Sequence, residues 1–397
     1  MRWVAIFVFI LSSFLNYLDR QLLSAAAPLI KTEFHLNNEE FSWLLLAFSI
    51  TYGLSAIVVG WWMDRVGLNR GMMTAVAAWS LVGVATGFAS SLMLLLVCRA
   101  ALGMAEAGAV PGFGKANASY LKSSELALGT GMNQLGLSVA GMAAPYLVGK
   151  YADDYGWRPI YIGAGLLGFL WIPLWWWVSR AIPPTNKPSG KAALATELLR
   201  DKRFWGLVVA NILAMTMYTL WTNWTTIYFV TARGMTQAQA NTQFAWIPPV
   251  FATLGGLLGG VLAYRMIQTG TPVFRARMRI SWLSSIILLG TAAIPLMPSA
   301  AWATVLICGS FFWVTAMSAN IYAMPIDFFG MGRAAFGVAA LTAAYGLMQA
   351  VISPAIGRVI DHVGFSPVCV ALSVFPLLAC LTLEWAGRRK DVAADGL

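Results

Sequence analysis

Residues 149–159 read GKYADDYGWRP, and residues 357–367 read GRVIDHVGFSP. The two share Gly, a basic residue, Asp, Gly, an aromatic and Pro in one register, and each follows a stretch that holds a proline, Pro145 or Pro354. A fainter echo pairs GWWMDR at 60–65 with GVLAYR at 260–265. Both echoes are offset by about 200 residues, half of a 397-residue chain. Two agreeing offsets are the mark of a duplicated architecture.

The duplicated unit is written in membrane composition. Hydrophobic residues make up 59% of the chain and charged residues only 11%, against roughly 25% charged in an ordinary soluble domain. A bilayer core needs about 20 apolar residues per spanning helix. Stretches of that kind run at roughly 3–29, 40–64, 71–89, 92–118, 126–150, 159–180, 204–230, 241–266, 277–297, 301–325, 334–359 and 365–387. The fold expected is all-α and integral to a membrane: twelve transmembrane helices in two pseudo-symmetric six-helix bundles. Residues 1–180 form the first bundle, 181–203 a polar cytoplasmic linker and 204–397 the second bundle.

The net charge of +10 does not point to nucleic acid, because the basic residues gather on no single element. They fall in alternate loops. With both termini inside, about 18 of the 26 Lys and Arg are cytoplasmic, while Lys31, Lys150, Arg158, Arg233 and Arg358 lie outside. This is the positive-inside pattern, and it sets orientation without any anionic partner. The four cysteines share no metal-ligand spacing, and both histidines, His35 and His362, fall in or near outer loops. There is no G-x-x-x-x-G-K-[ST] phosphate loop and no pair of residues with catalytic spacing. An enzyme and an ATP-driven pump are therefore disfavoured. No cofactor or metal is expected, only a co-transported proton or sodium ion. The Trp171–Trp177 run, WIPLWWW, reads as an interfacial aromatic belt.

Four charges stand where the bilayer is thickest: Asp19 and Arg20 in the first span, Arg99 and Glu106 in the fourth. At roughly 2.5–3.5 kcal/mol each on insertion scales, they imply about 10–14 kcal/mol that something must offset. Such residues face a cavity. Arg99 and Glu106 are two turns apart, on one face and about 10 Å from each other along the axis, so they can flank one ligand. Asp19 and Arg20 point about 100° apart, and each needs a partner from another helix. Two acids that take and lose a proton, beside two arginines that stay charged, are a minimal set for coupling anion binding to protonation.

Six helices, a linker and six more in the same topology resemble the major facilitator superfamily. Its inner loop between helices 2 and 3 carries a G-x-x-x-D-R-x-G-[RK] type motif, matched here by GWWMDRVGLNR at 60–70. By that resemblance Asp64, Arg65 and Arg70 are gating residues of the inner face; Asp327, by its position near the helix 10–11 loop, reads as an inner-face gate residue and not a substrate ligand. The copy at 260–265 has Tyr264 in place of the acid. NYLDRQLLSAAAP (16–28), SITYGLSAIVVGWWMDRVG (49–67) and CRAALGMAEAGAVPGFGKA (98–116) further resemble the anion:cation symporter group, which includes galactonate, hexuronate and glucarate carriers and sialin.

That resemblance implies that Arg20, Tyr52 and Arg99 contact a small organic anion, with Asp19 and Glu106 as the proton-coupling acids. It implies a proton-coupled symporter working by alternating access. The alternation of basic loops places both termini in the cytoplasm, the short loops fit a bacterial cell inner membrane, and a chain that holds both halves of the pathway is expected to be a monomer. Sugar-acid members carry an Asn about eleven residues before the helix 11 proline, where this chain has Ala343. Tyr345, Gln349 and, in helix 7, Asn223 are the candidates to serve in its place. Two further readings stay open: an exporter or exchanger of amphipathic compounds, and a membrane sensor that does not transport.

Overall fold

The computed structural model describes residues 2–122, 125–183 and 196–387. Among these residues the regular structure is helical: α1 (Arg2–Glu33), α2 (Asn38–Val66), α3 (Leu68–Gly87), α4 (Leu92–Glu106), α5 (Ala109–Tyr120), α6 (Leu126–Tyr155), α7 (Arg158–Ala181), α8 (Lys202–Thr231), the short α9 (Gln237–Gln239), α10 (Pro248–Gln268), α11 (Val273–Leu288), α12 (Ala300–Phe329), α13 (Met331–Val363) and α14 (Phe365–Gly387). Lipid leaves little else possible, since each backbone N–H and C=O must find its partner within the segment. Nine of the described helical stretches are long and apolar enough to cross a membrane, so the protein is multi-pass. α2, α3 and α6, of 29, 20 and 30 residues, have the length to do so as well.

Helix starts are set by short polar side chains. Asn37 accepts from the Glu40 N–H at 2.7 Å, while the Glu40 carboxylate accepts from the Asn37 N–H at 2.9 Å, a reciprocal capping box at the start of α2. Ser91 and Ser299 cap α4 and α12 in the simpler way. The duplicated motifs end their helices alike: Gly156 (φ 76°) and Gly364 (φ 82°) occupy the same register position and the same left-handed turn.

Three details differ from the expected spans. The fourth span is not one helix. α4 stops at Glu106 and α5 begins at Ala109, because Pro111 has no N–H to give the carbonyl four residues earlier. The ninth span ends in a 3₁₀ stretch, Leu289–Leu296, which contains Pro295. The tryptophan run divides: Trp171 and Trp175 are buried and stacked at 5.6 Å, whereas Trp176 and Trp177 are exposed. The pair four apart shares the inward face of α7, and only its neighbours remain for a belt.

The chain forms two compact units. The first comprises Met1–Gly190, Asn223–Ile247 and Ser353–Asp361. Its core is aromatic, with Phe9 of α1 edge-on to Trp171 and Trp175 and Tyr120 edge-on to Trp175. Trp171 also donates its Nε1–H to the Val8 carbonyl at 2.6 Å. Glycines bring backbones together within this unit. A Cβ at Gly165 of α7 would lie 2.6 Å from the Ser80 carbonyl oxygen of α3, and one at Gly103 of α4 3.0 Å from the Tyr52 nitrogen of α2. Such approaches are how spanning helices pack without a hydrophobic drive between them.

The first unit also receives the end of α13. Asp361 accepts from the Asn38 and Glu39 N–H groups at 3.0 and 2.8 Å and from Asn38 Nδ2 at 2.7 Å, so one carboxylate meets the orphan donors of the α2 N-terminus. Arg358 adds an ion pair to Glu39 at 2.5 Å. Gly357 makes this fit possible, since a Cβ there would stand 3.1 Å from Glu39 Cα. Its counterpart Gly149 packs in the same way on Asn241 and Thr242.

The second unit comprises Lys191–Thr222, Pro248–Ile352 and His362–Leu397. Its apolar core gathers Phe204, Leu207, Met317, Ile321, Leu341 and Leu383. α10 and α12 meet backbone to backbone through Gly255 and Gly259, with Thr315 Oγ1 donating to the Ala252 carbonyl at 2.7 Å and Asn320 Nδ2 to the Gly259 carbonyl at 3.2 Å.

Candidate functional site

The first unit buries four charges together. Asp19 and Arg20 come from α1, Arg99 and Glu106 from α4. Asp19, Arg99 and Glu106 are at most 3% exposed, and the Arg20 side chain is 24% exposed, the one member with open solvent-accessible surface. Arg20 Nε donates to Glu106 Oε2 at 2.6 Å. Its guanidinium carbon lies 4.4 Å from the Tyr52 ring centroid and 4.9 Å from that of Phe48. Those two rings are themselves stacked, 5.6 Å apart and 19° from parallel. An arginine against aromatic faces keeps its planar fork oriented while its charge is partly met.

Arg99 is held differently. Among the described residues it makes no ion pair; its Nη2 donates to the Tyr161 hydroxyl at 2.6 Å, and its guanidinium stands 5.5 Å from that ring. Tyr161 is 2% exposed and packs edge-on against Trp157. Trp157 in turn donates to Glu33 at 2.7 Å, and Glu33 pairs with Arg158. Asp19 sits where α3 gives way, its Oδ2 within 3.9 Å of where a Cβ on Gly83 would be. Glu106, Arg99 and Arg20 all act on it electrostatically.

Several polar atoms here are buried without a hydrogen-bond partner: Asp19 Oδ1, Glu106 Oε1, Arg99 Nε and, one turn from Asp19 on α1, Asn16 Nδ2. Buried polar groups of folded proteins are normally satisfied, so the open donors and acceptors gathered among four charges make this cluster the candidate site. Taken as ionised, the four charges sum to zero. An added anion therefore leaves the cluster one negative charge in excess unless a proton comes with it.

The expected site residues fall in three places. Asp19, Arg20, Tyr52, Arg99 and Glu106 are together. Asn223 is buried in the same unit and accepts from Ser24 Oγ at 3.3 Å, one helical turn along α1 from Arg20, and its Nδ2 has no partner. Tyr345 and Gln349 are half-buried on α13 in the second unit. Of the expected gating residues, Arg65 and Arg70 are exposed at the α2 end and in the first turn of α3, across Gly67 (φ 82°); the Asp64 side chain lies outside the described residues. Asp327 pairs with Arg277 at 2.5 Å.

Sequence reasoning missed Tyr161 and Phe48. A signal existed for the first, since Tyr161, Ala164, Gly165 and Gly168 recur at helical spacing on the buried face of α7. For Phe48 there was only its position one turn before Tyr52.

Comparison with known proteins agrees with this architecture. The chain is 26% identical to the hexuronate transporter of Escherichia coli (strain K12), over 96% of this chain and 93% of that protein. It is 28% identical to the galacturonate transporter of Dickeya chrysanthemi, over 66% and 81%, and 25% identical to the D-galactonate transporter of Escherichia coli O6:H1, over 96% and 94%. The fold matches the crystal structure of a bacterial homolog of the human lysosomal transporter Spinster, in its inward-facing, unoccupied conformation, with a TM-score of 0.77 at 20% identity, covering 98% of this chain and 97% of that one. Residues 9–341 match the Major Facilitator Superfamily, and the chain belongs to that family.

Proposed function

We propose that this protein is a symporter that carries a small organic anion with a proton by alternating access. The neutral quartet of Asp19, Arg20, Arg99 and Glu106 is the observation that supports it. In a dry interior an uncompensated charge costs several kcal/mol, so the anion that engages an arginine draws a proton onto one of the acids. Sugar acids lead among the substrates, because relatives that match nearly the whole chain are hexuronate and D-galactonate transporters.

In this reading Arg20 and Arg99 bind the carboxylate, Tyr52 supplies a ring and a hydroxyl, and Asn223, Tyr345 and Gln349 address the rest of the substrate. Asp19 and Glu106 carry the proton, and Asp64, Arg65 and Arg70 close the inner face. The chain works as a monomer of twelve spans, six on either side of the 181–203 linker, in a cell inner membrane with both termini cytoplasmic. The repeat offset and the alternation of basic loops support that topology.

The test is proton flux into proteoliposomes loaded with a pH-sensitive dye. Uronates, aldonates, small monocarboxylates, dicarboxylates and aromatic acids are added outside in turn. Acidification of the vesicle interior on adding sugar acids is the expected result. Uptake that needs sodium and moves no proton would replace the coupling ion; no uptake of any acid by folded protein would remove the reading. Arg99→Lys keeps the charge and loses the fork. Its affinity for the transported acid is expected to fall about tenfold or more, equivalent to about 1.4 kcal/mol per tenfold, as measured by the concentration for half-maximal flux.

A further inference from the structure

We propose that Tyr161 is a positioning residue of the transport cycle, whose hydroxyl parks Arg99 away from Asp19 so that Asp19 is open to a proton before the anion arrives. The inference rests on the symport reading and names a device within it. Arg99 is buried and, among the described residues, makes no ion pair; a neutral phenol is what it binds, at 2.6 Å. Asp19 is equally buried and lies in electrostatic reach of Arg99, yet its Oδ1 meets no donor. Arg99 and Asp19 are buried, opposite in charge and in electrostatic reach of one another, and no ion pair joins them among the described residues. In this proposal the hydroxyl that holds Arg99 is the group that keeps the two apart.

Tyr161 is well placed to stay still while Arg99 moves. Its ring is fixed edge-on to Trp157, centroid to centroid 5.6 Å, and Trp157 is tied to Glu33 at the end of α1. An incoming carboxylate offers Arg99 a charged, two-pronged acceptor in place of one neutral oxygen, so the anion wins the arginine from the phenol. The groups that act on Asp19 are Glu106 and Arg99 of α4, Arg20 beside it on α1, and Tyr161 of α7. α3 presents Gly83 there and brings no charge.

The experiment measures anion affinity against pH on purified full-length protein, with the sugar acid that gives the largest flux as the probe. An arginine beside a carboxyl favours its ionised form by 1–3 pH units in general. In Tyr161→Phe the ring and its packing remain, the hydroxyl is gone, and Arg99 turns to Asp19. The pH at which binding is half-maximal is expected to move about one unit toward acid. In an Asp19→Asn background the same change is expected to add no shift, since the acid it protects is absent. A midpoint equal to wild type, or a shift that persists in Asp19→Asn, overturns the proposal. If the phenylalanine variant aggregates, Tyr161→Met is read in the same two backgrounds. Failure of the symport reading looks different: there the wild-type protein binds and moves no acid at any pH.

Discussion

Replacing Glu106 by Gln is expected to reduce uphill accumulation of the anion to simple equilibration while leaving exchange of external for internal anion intact. With one proton per monovalent anion, a gradient of one pH unit supplies about 1.4 kcal/mol and thus about tenfold accumulation. Glu106 is fully buried and gives one oxygen to Arg20 at 2.6 Å. Gln offers an oxygen at the same place, so the hydrogen bond survives. The charge count changes: without Glu106 the cluster, taken as ionised, carries one positive charge in excess, so the anion alone restores neutrality and no proton need accompany it across. Concentration ratios in vesicles with an imposed pH step check this, and a ratio that stays near ten sinks the assignment. The stability loss should fall below the roughly 3–5 kcal/mol of a broken buried pair, because Arg20 is one-quarter exposed and keeps Asp19 beside it.

The second large effect belongs to packing. Valine at Gly255 or Gly259 is expected to cost about 3 kcal/mol or more, the upper end for overpacking, and to lower the melting temperature of the purified protein by several degrees. At Gly259 a Cβ would lie 2.6 Å from Ala316 Cα, and at Gly255 it would collide with the Phe312 carbonyl. These obstacles are backbone, so α10 and α12 must separate, and the Asn320 and Thr315 bonds between them fail together. Gly256 and Gly260 have open space at the Cβ position. Alanine at either is expected to change stability by no more than about 0.5 kcal/mol. Equal melting temperatures for the two sets would show that close approach does not hold these helices together.

The contrast between these glycines illustrates what the sequence makes legible. The GGLLGG run at 255–260 announces a tight helix pair, yet which glycines face it depends on the rotation of α10. The buried charges were legible for a similar reason. Asp19, Arg20, Arg99 and Glu106 are too costly in lipid to be anywhere but inside, and the seven-residue spacing put the last two on one face. Their partners were not legible. Whether Arg20 meets Glu106, and Arg99 meets a tyrosine, is decided by how near α1, α4 and α7 come. Glycines such as Gly83, Gly103 and Gly165 bring α3 against α7 and α4 against α2, and they carry no chemical label. The break after Glu106 was half visible in Gly108 and Pro111, since either residue is also compatible with a bent but continuous helix. The aromatic run misled because composition suggested a belt while the four-residue spacing of Trp171 and Trp175 placed them in the core.

The Asp361 carboxylate at the head of α2 bears on how the chain is made. The two partners are 323 residues apart. At about 5–20 residues per second of synthesis, α2 enters the membrane roughly 16–65 s before the residue that completes its N-terminus exists. Until then Asn37 and Glu40 guard that end alone. The first unit thus becomes finished only when nearly the last hairpin has been inserted, and a ribosome that stalls before α13 leaves behind a half that cannot close on itself.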